Sequence, residues 1–309
     1  MIITLTGNLL AERTFEFERW SPGKTQRATR EYFQVGGKGI NVSKMLQRIR
    51  ASTTAWCFAG GSSGADCERW LVEKQIPHRI FATQHATRTG LVVRSASESE
   101  TTFLGPDRAP DAEALAECVD ALRQDSNRSG SHVLALCGSF PGWLGEDAEA
   151  LRETVKAWAH ERKFVADTYG PPLAWALEQP TFLIKINRDE FDALTGPGQK
   201  ARPMNERLND AIARWPVLNW IVTDGPGPVW YGGKDMPAAE IDPIPVEEVS
   251  ATGSGDVLLA CVLEGLVNRQ LPLGEALTFA LPYAAANAAD AGVAEFELNN
   301  LPAPRSVQP

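Results

Sequence analysis

Cysteine is scarce in this chain: Cys57, Cys67, Cys118, Cys137 and Cys261 are odd in number, widely spaced and never arranged as Cys-x-x-Cys. That excludes a disulfide framework and a zinc knuckle. Cys137 closes the apolar run Val133-Leu134-Ala135-Leu136, and cysteines so placed are expected to be small buried hydrophobes. Histidine is scarcer still, and His78, His85, His132 and His160 have no metal-ligand spacing. No apolar stretch approaches the length needed to span a bilayer. The start, Met1-Ile2-Ile3-Thr4-Leu5-Thr6, alternates like a strand and lacks the basic residues and apolar stretch of a signal peptide, so a cytoplasmic location is expected. Positive charge is in deficit, with 30 Lys and Arg against 39 Asp and Glu and a formal net charge of −9. Neither nucleic acid nor an anionic membrane is therefore expected as the main partner. A Gly-x-x-x-x-Gly-Lys-Ser/Thr loop and a Gly-x-Gly-x-x-Gly fingerprint are both missing, which removes a Walker-type ATPase and a dinucleotide dehydrogenase.

What is present is the profile of a globular protein: 309 residues, 43% apolar and 22% charged, enough for one large α/β domain or two small ones. Strands are predicted at 133–137, 164–167, 182–186 and 220–223, alternating with helices at 147–161, 190–195 and 205–215. Such alternation predicts parallel strands joined by crossover helices, with ligands at the carboxyl ends of the strands. Ser139, Asp167, Asn187 and Gly225 all follow predicted strands. Residues 15–35 and 90–103 break this rhythm and read as antiparallel strands outside the main sheet. The tail from Pro302 reads as loose.

Two glycine-rich turns carry the chemistry. Ser250-Ala251-Thr252-Gly253-Ser254-Gly255-Asp256 runs straight into the apolar segment Val257–Ala260. A helix start offers unpaired N–H groups and the positive end of the dipole, which suits phosphate. Backbone N–H groups of Gly253, Ser254 and Gly255 are thus candidates to bind charge on a transferred phosphoryl group, with Asp256 as the base that takes a hydroxyl proton. Asp256 is expected to stay ionised because the dipole favours its charged form; the plain alternative makes it a helix N-cap. Upstream, Gly36-Gly37-Lys38-Gly39-Ile40-Asn41 precedes a helix expected from Val42 to Ile49. Asn187-x-x-Glu190, at another helix start, has a spacing able to hold hydrated magnesium near phosphates, although Glu at the third helical position is also a capping-box element. Lys185 either reaches an ATP phosphate or ends a strand in solvent.

These segments resemble the two signatures of the PfkB carbohydrate kinases, the ribokinase-like sugar kinases. Gly37–Val42 is similar to their sugar motif, especially in the 1-phosphofructokinase and tagatose-6-phosphate kinase branch, and Gly253–Asp256 to their catalytic motif. Thr87-Arg88, Gly138–Gly142, Asp167-Thr168, Lys185–Glu190 and Thr223–Gly227 match in order, so the resemblance spans about residues 1–295. It implies a single kinase domain over 1–309, a three-layer α/β/α sandwich with a mostly parallel central sheet and a small β-sheet lid within about 12–35 and 87–105. It implies ATP and Mg2+, the metal held through water by Asn187 and Glu190. Lys185, Asn187, Thr223, Gly225, Gly227 and Asn287 would face ATP, the last from a helix beside the adenine. Glu12, Gly36, Gly37, Lys38, Asn41, Arg88 and Ser139 would face the sugar, with Lys38 and Arg88 meeting a phosphate on it. A homodimer through the lid is a further implication. Departures cluster at the acceptor: Glu12 for Asp, Gly90 for Asn, Phe103-Leu104 for a polar pair. Ala251 stands for Thr in the catalytic motif and Pro228 for Gly in the nucleotide loop. The expected reaction is transfer of the ATP γ-phosphoryl to fructose 1-phosphate, fructose 6-phosphate or tagatose 6-phosphate. Alternatives are a kinase for an unphosphorylated sugar or nucleoside, and a non-catalytic sugar-phosphate sensor.

Overall fold

The computed structural model describes residues 1–95, 98–126 and 132–303, so the end of the tail expected to be loose lies outside the described residues. The chain opens with β1 (Ile2–Thr6), β2 (Leu10–Phe17), β3 (Arg30–Gly36) and α1 (Lys38–Arg48). Next come β4 (Thr53–Ala59), α2 (Gly61–Glu73), β5 (His78–Ala82), β6 (Arg88–Ser95), β7 (Glu98–Leu104) and α3 (Ala112–Ser126). A regular alternation follows: β8 (Val133–Cys137), α4 (Glu149–Glu161), β9 (Lys163–Asp167), α5 (Pro171–Leu177), β10 (Leu183–Asn187), α6 (Arg188–Thr195), α7 (Met204–Arg214) and β11 (Asn219–Thr223). The hairpin β12 (Val229–Gly233) and β13 (Met236–Ile241) precedes α8 (Ser254–Leu263) and α9 (Leu273–Ala288).

Among the described residues the main sheet has the order β13-β12-β11-β10-β9-β8-β1-β4-β5. It is parallel from β5 to β11, with β12 and β13 added antiparallel at one edge. The chain winds from β1 through β4 to β5, then restarts on the other side at β8. The β1/β8 crevice is therefore the switch point at which ligands collect in open α/β sheets.

Two-sided burial explains the unbroken apolar strands. On β8, Leu134 and Leu136 join a core with α3, α4 and Trp143, whereas Val133, Ala135 and Cys137 join one with Val42, Met45 and the apolar α8 and α9. All five cysteines are buried, as expected of small hydrophobes in these layers.

The second sheet has the order β3-β2-β6-β7. The expected antiparallel pairs β2/β3 and β6/β7 are present, but the central β2/β6 pair is parallel, which corrects the all-antiparallel reading. The cause is topological: β2 follows β1 and β6 follows β5, and both leave the same end of a parallel sheet. Ala11 and Val35 on one face pack toward Cys67, Trp70 and Leu71 of α2. The other face carries Glu12, which the register sets beside Gln34 and Gly90.

Candidate active site

The first turn of α8 lies at the carboxyl edge of the sheet. Gly253 caps it in the left-handed region with φ 77°, and a Cβ there would overlap Val293, so glycine is required on both counts. Asp256 is not the cap; it sits inside the first turn, buried, and its Oδ2 accepts a hydrogen bond from Asn41 Nδ2 at 2.7 Å. The N-cap alternative for Asp256 therefore fails. Asn41 reaches it because α1 begins at Lys38, four residues earlier than the sequence suggests. Gly39 permits this, since a side chain there would collide with Thr6 at the end of β1.

Asp167, at the end of β9, is fully buried between two ammonium groups. Its Oδ1 accepts from Lys38 Nζ at 2.7 Å and its Oδ2 from Lys185 Nζ at 2.9 Å. Lys185 thus does not end its strand in solvent. Its Nζ would lie 2.5 Å from a Cβ at Gly255, which puts the ammonium against the backbone of the α8 turn. Helix start, Lys185 and Lys38 together make a site for an anion.

Burial works against the charge of Asp167, but Lys185 and Lys38 outweigh it and hold its carboxyl below the usual range. Lys38 is desolvated too, yet Asp167, Glu190 and Asp256 hold it firmly protonated. Asp256 moves the other way: burial first, then repulsion from Asp167, pushes it up to about 6, against Lys185, Lys38 and the Asn41 hydrogen bond. At about 6 the carboxyl is still ionised at neutral pH, as expected, but against a desolvation that raises it and with Lys185, Lys38 and Asn41 favouring the charged form.

Asn187 and Glu190 form a capping box at α6: Asn187 Oδ1 accepts from Glu190 N at 2.8 Å and Glu190 Oε2 accepts from Asn187 N at 2.9 Å. Glu190 Oε1 lies 3.7 Å from Lys38 Nζ. No group of three His, Cys, Asp or Glu residues is placed to hold a metal among the described residues. One carboxylate oxygen and an amide fit a magnesium ion that keeps its water and takes phosphate oxygens, rather than an all-protein cage.

At the turn expected to face ATP, Thr223 ends β11 and Gly225, with φ 55°, opens a turn closed by Gly227 N donating to Asp224 O at 2.8 Å. The turn survives Pro228. Asn287 is corrected: it is fully buried, donating to Thr252 O at 2.9 Å and Ser254 Oγ at 3.0 Å and accepting from Ala294 N at 2.7 Å. Its amide braces the first turn of α8 and is closed off from any ligand.

Among the residues expected to face the sugar, Glu12 accepts a hydrogen bond from Gln34, and burial raises its carboxyl despite that bond. Gly36 and Gly90 both pack on Leu10. Arg88 and Lys38, expected to share one phosphate, are engaged by different carboxylates. Arg88 Nη1 donates to Asp107 Oδ1 at 2.7 Å, and Asn8 Nδ2 donates to the same oxygen and to Ser139 Oγ, each at 2.8 Å. Sequence reasoning missed Asn8, Asp107 and the bridging role of Asp167. Only Asp167 left a usable signal, a carboxylate directly after a strand on the ligand edge.

The pfkB family carbohydrate kinase profile matches residues 6–299. The 1-phosphofructokinase of Bacillus subtilis (strain 168) is 27% identical over 310 residues, covering 98% of each chain. The ATP-dependent 6-phosphofructokinase isozyme 2 of Escherichia coli (strain K12) is 26% identical over 245 residues, 76% of each. Among solved structures, phosphofructokinase-2 from Escherichia coli in complex with substrates and products superposes with a TM-score of 0.83 at 22% identity, covering 96% of this chain and 94% of that one. The chain belongs to the pfkB family of carbohydrate kinases, enzymes that transfer a phosphoryl group to an alcohol.

Proposed function

We propose that the chain transfers the γ-phosphoryl of ATP to a hydroxyl of a ketohexose phosphate, fructose 1-phosphate first among them, with Asp256 as general base. One observation carries the base: Asp256 stands in the same helix turn that offers the anion-binding backbone, and it is held by Asn41 and not spent as a cap. The choice of acceptor rests on the names of the relatives and on Arg88 and Ser139 beside the switch point.

In this reading the acceptor hydroxyl gives its proton to Asp256 while its oxygen bonds to the γ-phosphorus and the bond to ADP breaks. The α8 backbone N–H groups and Lys185 stabilise the charge on the transferred group, and Lys38 links that charge to Asp167 and Glu190. Asn187 and Glu190 would hold Mg2+ through its waters, and the ion would supply neutralisation of phosphate charge. The second sheet acts as a lid that keeps water out, and its exposed Tyr32, Phe103 and Leu104 suit a lid-to-lid homodimer.

The test is ATP consumption across phosphorylated and free ketohexoses, with Asp256→Asn alongside. Loss of a general base costs about a thousandfold in rate. Full activity in the variant sinks the assignment of the base, and binding without turnover on every acceptor sinks the kinase reading in favour of a sensor.

A further inference from the structure

Arg88, Asn8 and Ser139 come from three segments: the start of β6, the turn after β1 and the turn after β8. A cation, an amide and a hydroxyl converging at a switch point form a receptor for an anion. Here the anion is the protein's own. Asp107 Oδ1 takes Arg88 Nη1 at 2.7 Å and Asn8 Nδ2 at 2.8 Å, while Asn8 Nδ2 also reaches Ser139 Oγ. The cleft beside them, lined in part by Asn8, Arg88 and Arg108, has about 20 Å3, room for about one water.

We infer that Asp107 is a specificity-determining residue, a built-in anion that occupies Arg88 and must be displaced before a phosphorylated acceptor binds. This rests on the reading of Arg88 as the cation that meets the acceptor's phosphate. Exposure suits exchange: the Asp107 side chain is 56% exposed, on the loop between β7 and α3, whereas that of Arg88 is 15% exposed. The carboxylate is free to rotate into water while the guanidinium stays. Asp107 takes the Arg88 Nη1 and the Asn8 amide that a phosphate at this edge would use, so phosphate bound there replaces the carboxylate. A neutral sugar has nothing with which to compete. Asp107 therefore lowers the affinity for a doubly charged phosphate and leaves that for a neutral sugar unchanged, which narrows the preference between them.

Calorimetric titration of wild type, Asp107→Asn, Arg88→Met and the double variant with inorganic phosphate, fructose 1-phosphate and fructose tests this. Asparagine keeps the shape and an oxygen acceptor and removes the charge. The expected result is about tenfold tighter binding of both phosphate ligands by Asp107→Asn, the scale of one semi-exposed charge interaction. Fructose binding stays within about twofold of wild type, and the gain vanishes in the Arg88→Met background. Phosphate bound elsewhere contributes equally to both proteins. Unchanged or weaker phosphate binding by Asp107→Asn, or a gain that survives Arg88→Met, overturns the proposal. If the gain appears but fructose 1-phosphate is not turned over, the ketohexose-phosphate reading fails and the role of Asp107 stands.

Discussion

Asp256 is pulled in two directions, and the balance has a measurable sign. Burial and Asp167 favour its neutral form, while Lys185, Lys38 and Asn41 favour the carboxylate, leaving it near 6. As the proposed base, Asp256 would be protonated and idle below that value. kcat/KM should therefore climb with pH through a limb near 6 and level off above it. Asn41→Ala removes a hydrogen bond to the charged form, so its limb should sit at higher pH in a pH-rate profile; an unmoved limb would mean that another group titrates. The location of Asp256 was legible because small residues, a carboxylate and an apolar helix are contiguous in sequence. Its proton affinity was not, because that is set by Asp167 and by lysines on other elements. Lys185 shows the same limit: nothing in Leu183–Asn187 says that a distant carboxylate will bury its ammonium.

At the scale of elements, alternation and capping were readable. β8, β9, β10 and β11 fall within a residue of their predicted bounds at either end, and Asn187-x-x-Glu190 forms the box its letters spell. Contacts between elements were not readable. Lys44 of α1, although buried, donates to Val293 O at 2.7 Å and Glu295 Oε1 at 2.5 Å, and Arg48 one turn later donates to Ala294 O and Phe296 O. Val293 packs against Gly253, and Ala294 N holds Asn287, which holds the α8 turn. Helix α1 thus grips the segment that braces the α8 turn, so with Asp256 as the proposed base Lys44 would act as a positioning residue. Lys44→Met should lower kcat about tenfold, a loss of roughly 1.4 kcal/mol in transition-state stabilisation, with the acceptor KM within about twofold. Lys44→Arg should restore most of the rate. A matching loss in both variants, or none in either, would remove the bracing role.

The whole molecule follows from a switch in winding direction at β1 and β8 and from a second sheet hung beside it. The main sheet was legible in outline because two-sided burial writes continuous apolar strands. The parallel β2/β6 pair was not, since local alternation looks the same in either direction. The second sheet leaves Phe103 and Leu104 more than half exposed near a cavity of about 560 Å3 that both help line, with Arg13 and Phe33. If a second copy covers them, light scattering of the wild type should give the mass of two chains, and Phe103→Asp should give one. A monomeric wild type would dismiss the lid dimer.

The hydrogen bond from Asn41 to Asp256 spans 215 positions of sequence. During synthesis, Asn41 emerges long before the residue it must meet exists. With Asp256 as the proposed base, the chain would have no partial activity on the ribosome until the last third has docked its helix against the first.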